Sequence, residues 1–135
     1  MNETKYLLDV STLVALLWRN HTDHPKVTAW CADKETVLCS ITELGFLRVA
    51  TSPAYNATMA QARATLKDFL NTRKPEFIPA DARALEGEVA PSSGKTTDWY
   101  LANLAQEHGM KWATLDAGAN HPNAELVGGP LQTAV

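Results

Sequence analysis

Short apolar runs that stop on an aspartate are the feature that most constrains this chain. Tyr6-Leu7-Leu8 stops at Asp9, and Lys111-Trp112-Ala113-Thr114-Leu115 stops at Asp116. Both runs have the length of a buried strand, and helical spacing fills the sequence between them. Ser11 is placed to cap a helix over residues 12 to about 19. His21-Thr22-Asp23-His24-Pro25 reads as a polar loop carrying exposed histidines, and Pro25 suits the first turn of a helix reaching Trp30. Thr36-Val37-Leu38-Cys39 is a second strand, followed by a capping box, Ser40-Ile41-Thr42-Glu43. The helix it opens runs through Leu44, Leu47 and Val49 to Ser52-Pro53.

Asn56 or Thr58 starts a longer helix with Met59, Ala62, Leu66, Phe69 and Leu70 at helical spacing, and Pro75 ends it. Phe77-Ile78 is a third strand. Asp81 is placed to cap a helix through Leu85 to Glu88, and Pro91-Ser92-Ser93-Gly94 is a loop. A helix from Thr97-Asp98 buries Leu101, Leu104 and Ala105, with His108 near its end and Gly109 as its stop. Glu125-Leu126-Val127 is a candidate fifth strand, and a frayed tail is expected over residues 128–135. Short strands alternating with helices imply crossover connections, a parallel sheet and helices on both faces. A chain of 135 residues without repeat or linker fits one α/β domain, its core at about residues 5–127.

Ligands of such sheets bind beyond the carboxyl ends of the strands. Asp9, Glu43, Asp98 and Asp116 all fall at that edge in this reading. Taken singly, each has an ordinary structural role as a turn, capping or helix-dipole residue. Together they are costly, because carboxylates about 5 Å apart repel by roughly 3 kcal/mol per pair at an effective dielectric near 20. A compensating cation relieves that repulsion, and hard oxygen ligands favour Mg²⁺ or Mn²⁺. The chemistry that uses such a set is phosphodiester hydrolysis by metal-activated water.

The surrounding residues are also familiar. Leu7-Leu8-Asp9-Val10-Ser11-Thr12-Leu13, Ser40-Ile41-Thr42-Glu43-Leu44-Gly45-Phe46-Leu47-Arg48, Thr97-Asp98-Trp99-Tyr100-Leu101-Ala102-Asn103-Leu104-Ala105, and His108-Gly109 through Ala113-Thr114-Leu115-Asp116 occur in this order. In them the chain resembles the PIN-domain ribonucleases, in particular the VapC-type toxins of toxin–antitoxin systems, from about Leu7 to Val127. The resemblance implies a three-layer α/β/α sandwich with a short central parallel sheet. It implies Asp9, Glu43, Asp98 and Asp116 as catalytic and metal-binding acids, and dependence on Mg²⁺ or Mn²⁺. It further implies endonucleolytic cleavage of RNA, a homodimer, and inhibition by a cognate VapB-like antitoxin. The family's usual Asn two residues after the first acid is Ser11 here. Ser11, Thr97 and Thr114 are candidates to support the site through their hydroxyls.

Two other readings stand beside this one: a catalytically idle PIN fold that binds partners, and a phosphoacceptor signalling module. Glu43 falls inside a helix, which fits the last poorly. Arg19, Lys26, Arg48 and Lys95 adjoin the expected rim as phosphate contacts or as solvated charges. Trp18, Trp30 and Trp112 read as core; Trp99, next to Asp98, is a candidate to face a base or an antitoxin. Cys31 and Cys39, with seven residues between them, match no metal or redox spacing. No basic leader or membrane-length apolar run is seen, so a soluble cytoplasmic protein is expected.

The formal charge of -3, from 12 basic and 15 acidic residues, excludes a protein that grips nucleic acid with a broad basic surface. With the four acids assigned to a cation, 15 − 4 leaves 11 acids against 12 basic residues. Affinity for a polyanion should then be local and cation-dependent.

Overall fold

Leu7 and Leu8 lie fully buried in β1 (Lys5–Leu8), the strand on which the sheet is built. The computed structural model describes residues 3–129. β1 is followed by α1 (Val10–Leu17), α2 (His24–Cys31), β2 (Glu35–Leu38), α3 (Ser40–Ala50) and α4 (Met59–Arg73). Then come β3 (Glu76–Phe77), a 3₁₀ turn at Ser93–Lys95, α5 (Thr96–Glu107), β4 (Lys111–Thr114) and β5 (Ala124–Leu126). The strands pair in parallel in the order β3-β2-β1-β4-β5.

Alternation along the strands divides the core in two. Leu8, Leu38 and Ala113 point to the side covered by α1 to α4, where Leu13, Val27, Phe46, Leu66 and Phe69 pack. Leu7, Val37 and Trp112 point to the opposite side, against Leu101, Leu104 and Ala105 of α5. Register keeps the two sets apart: Leu7 faces Val37 and Trp112 on its neighbours, and Leu8 faces Ala113. Three α/β/α layers result, as expected. Among the described residues, no helix is long and apolar enough to cross a membrane.

Several local expectations change. Asp9, not Ser11, caps α1, because the helix starts at Val10 and the Asp9 carboxylate accepts the Thr12 N–H. The capping box at Ser40 and Glu43 is absent: β2 ends at Leu38 and Cys39 occupies the cap position, so Ser40 is already inside the helix. The one reciprocal box at a helix start among the described residues joins Thr58 and Gln61 at α4.

Residues 81–88 form no helix. Gly87 there has φ of +83°, and the Asn103 side chain meets the backbone polar groups of Glu86 and Glu88 in place of helical partners. Asp81 caps nothing and instead pairs with His108 Nε2 at 2.8 Å. His21 and His24 are half-buried rather than exposed, with His24 Nδ1 2.9 Å from the Ala15 carbonyl. Most of the expected tail, residues 130–135, lies outside the described residues.

Candidate active site at the switch point of the sheet

From β1 the chain builds outward to β2 and β3 on one side, then crosses over to build β4 and β5 on the other. Connections leaving β1 and β4 therefore diverge, and a crevice opens between their carboxyl ends. Asp9 and Asp116 leave the sheet there. The Asp9 N–H donates to the Ala113 carbonyl at 3.1 Å, which joins the two strand ends. Thr12 Oγ1 reaches the same carbonyl at 3.4 Å.

Asp9 is buried, and its carboxylate accepts the Thr12 backbone N–H at 2.8 Å. Burial pushes its carboxyl up to about 6; hydrogen bonds from Thr114 and Thr12 oppose this, and the charge of Asp98 adds to it. Thr114 therefore lies beside the Asp9 carboxylate. Its hydroxyl also accepts the Asp116 N–H at 3.1 Å. Asp116 Oδ1 accepts the Gly118 N–H at 2.9 Å, and Oδ2 accepts Lys95 Nζ at 2.5 Å. That lysine holds the Asp116 carboxyl below the usual carboxylate range.

Asp98 lies half-buried in the first turn of α5. Burial raises its carboxyl, Lys95 works against this, and Asp116 adds to it. Asp9, Asp98 and Asp116, from three separate segments, therefore share one electrostatic neighbourhood. Glu43 stands differently. Thr42 Oγ1 donates to the Leu8 carbonyl at 2.9 Å, which pins the first turn of α3 to the end of β1 and sets Glu43 beside the crevice. Its carboxyl is raised by burial alone. It lines a groove of about 740 Å³ between α3 and α4 with Ser40, Leu44, Leu47, Arg63 and Lys67. Among the described residues, no three His, Cys, Asp or Glu side chains converge closely enough to hold one ion.

The donor set nonetheless has the chemistry a hard divalent cation requires. It consists of carboxylate oxygens, two of them (Asp9 and Asp98) raised by burial and by a neighbouring aspartate, with a single lysine as compensation. Ser11 and Thr97 are exposed. Trp99 packs edge-to-face on His121, ring centroids 4.8 Å apart, so its ring is committed to the fold. Of the four basic residues singled out, Lys95 alone is paired with a rim acid among the described residues; Lys26 pairs with Asp23, and Arg19 lines a separate groove with His24 and Arg73.

Two residues escaped sequence reasoning, and a third, His121, shows no metal-ligand spacing in the sequence. Arg63 and Lys67 share the groove with Glu43, and their spacing of four on α4 was the available signal. His121 is buried between Trp99 and Trp112, a contact that spacing does not reveal.

Comparison with known proteins places the chain in a family. The PIN domain family model matches residues 6–124. Ribonuclease VapC38 of Mycobacterium tuberculosis is 33% identical over 120 residues, covering 83% of this chain and 85% of that protein. Ribonuclease VapC44 of the same organism is 35% identical over 120 residues (82% and 84%), and Ribonuclease VapC29 is 34% identical over 125 (89% and 92%). The fold matches the crystal structure of VapBC2 from Rickettsia felis bound to a DNA fragment from their promoter. There the TM-score is 0.59 and the identity 15%, with 91% of this chain and 97% of that one covered. The chain belongs to the PIN-domain family, as a VapC-type member.

Proposed function

We propose that this chain is an endoribonuclease toxin that hydrolyses RNA phosphodiester bonds with Mg²⁺ or Mn²⁺ held by Asp9, Glu43, Asp98 and Asp116. A VapB-like antitoxin silences it. The observation that carries the reading is the gathering of Asp9, Asp98 and Asp116 at the switch point of the sheet with one lysine as compensation. Relatives named as VapC ribonucleases and the VapBC2 structure support the activity and the partner. A homodimer belongs to the same reading.

A bound divalent cation supplies Lewis acidity, acidifying water and drawing charge from a phosphate. The protein's own residues do the rest. Asp9 is immobilised by the cap bond to Thr12 and by Thr114, so its oxygens are preorganised where β1 and β4 end. Asp98 and Asp116 supply charge from the opposite wall, and Glu43 faces the adjoining groove. Arg63 and Lys67 on that groove suit the phosphates flanking the scissile bond.

The test is cleavage of RNA by the purified protein with Mg²⁺ or Mn²⁺, set against EDTA and against Asp9→Asn. Cleavage that survives EDTA, or full activity in the variant, refutes the site. A second reading, a PIN fold that binds without cleaving, draws on the lack of three converging ligands among the described residues. Calorimetry without Mn²⁺ binding, together with no cleavage, selects it.

A further inference from the structure

Lys95 ends the 3₁₀ turn that leads into α5, three residues ahead of Asp98. Its ammonium donates to Asp116 Oδ2 at 2.5 Å and also feels the charge of Asp98. This is no helix-surface pair of the ordinary kind. It joins two segments that reach the rim from different connections, before α5 and after β4. The remaining lysine ion pairs among the described residues, Lys5–Glu76, Lys26–Asp23 and Lys34–Asp33, lie away from the rim acids.

We propose that Lys95 is the resident counter-ion of the acidic rim: it neutralises Asp116 beside Asp98 in the cation-free protein and yields when a divalent cation takes those carboxylates. The proposal rests on the reading of Asp98 and Asp116 as cation ligands. Competition for the same carboxylate oxygen supports the exchange. An Asp116 oxygen held by an ammonium is not free to coordinate. Lysine suits the task, as a compact point charge on a flexible stem that can leave without disturbing the backbone. Both partners are partly exposed, so the bond to be broken is a modest one. Cation binding is therefore attenuated rather than blocked.

Calorimetric titration of Mn²⁺ into the EDTA-stripped full chain tests this, with Lys95→Met and the charge-preserving Lys95→Arg beside it. Lys95→Met should bind Mn²⁺ about three- to five-fold more tightly, the scale of an exposed ion pair. Lys95→Arg should stay within about two-fold of the parent. Cation-free Lys95→Met should also melt at a lower temperature than the parent, with the difference shrinking as Mn²⁺ is added. Equal or weaker binding by Lys95→Met, with the parent still binding, overturns the counter-ion role and leaves the cation site standing. No Mn²⁺ binding by any of the three overturns both.

Discussion

The Asp9 carboxylate accepts the Thr12 backbone N–H at 2.8 Å, so the first acid of the rim is also the cap of α1. Substitutions can separate the two roles. Asn caps as well as Asp, so Asp9→Asn should keep the helix start while removing the charge. RNA cleavage should then fall by about a hundredfold or more, since the charge stabilisation lost is several kcal/mol. Asp9→Ala should lose the cap as well, making it about 1 kcal/mol less stable than Asp9→Asn. Urea denaturation beside a cleavage assay reads both. Equal stability of the two variants would deny the capping role.

Burial of Asp9 gives the cation-free protein a definite pH dependence. Its carboxyl lies at about 6 in the folded chain against 3.8 as the ordinary value. Between those values the folded state binds more protons than the unfolded one, so stability falls as pH rises. A shift of about two units corresponds to roughly 3 kcal/mol, lost between about pH 4 and pH 6 and absent above. Asp98 and Glu43, also raised, act in the same direction, while Asp116 and Asp81, lowered, act against it. The Asp9 contribution is isolated by comparison with Asp9→Asn. Denaturation in EDTA at pH 4.5 and pH 7 should show the variant gaining on the parent as pH rises. A constant difference between the two would contradict a buried, raised carboxyl.

What the sequence disclosed about the site follows from where local pattern and topology coincide. Asp9 and Asp116 can be placed at one edge from the sequence because each follows an apolar strand, Asp9 directly and Asp116 two residues on, and parallel pairing of β1 with β4 is enough to bring such ends together. Ser40 and Glu43 misled as a capping box because the pattern does not say where β2 stops; with Cys39 at the cap, Ser40 is one residue too late. Residues 81–88 misled in another way. Ala82, Ala84 and Leu85 favour a helix locally, but Asn103 takes the backbone partners a helix would need. Lys95 reads from the sequence as a phosphate contact or a solvated charge; its bond to Asp116, across 21 residues, exists only once α5 and β4 are docked.

Gly45 lets α3 approach α1. A Cβ built there would lie 2.3 Å from Val10 Cγ2 and 3.0 Å from Val10 Cγ1. Val10 opens α1 directly after Asp9, so crowding at this point bears on the rim as well as on the core. Gly45→Ala should cost about 1–3 kcal/mol, the usual range for overpacking. Val10→Ala removes the obstructing methyls, so the double variant should recover part of that loss, with a coupling of about 0.5 kcal/mol or more. A double-mutant cycle by chemical denaturation measures it. Strict additivity would show that the helices adjust elsewhere.

Asn103 ties the strap before α5 to the core. Its Oδ1 accepts the Glu88 N–H at 3.0 Å, and its Nδ2 donates to the carbonyls of Glu88 at 3.0 Å and Glu86 at 3.3 Å. The same Oδ1 accepts His121 Nε2–H at 2.7 Å; the proton sits on Nε2 because Nδ1 accepts the Asn123 N–H. At Gly87 the strap passes so close that an added Cβ would sit 2.5 Å from Asn103 Cγ. Leu85 and Val89 contribute little to holding the segment, being 99% and 86% exposed, so the amide holds residues 86–88, while the Tyr100 hydroxyl holds the Ala82 carbonyl at 2.8 Å. Asn103→Ala should therefore release residues 86–88 and leave the buried His121 donor unsatisfied, at a cost of about 1–3 kcal/mol. Local release should exceed global loss. Trypsin should cut after the exposed Arg83 faster in the variant under conditions where the rest of the chain stays folded. Cleavage after Arg83 at the parent's rate, with stability unchanged, would show that the strap is held by something other than this side chain.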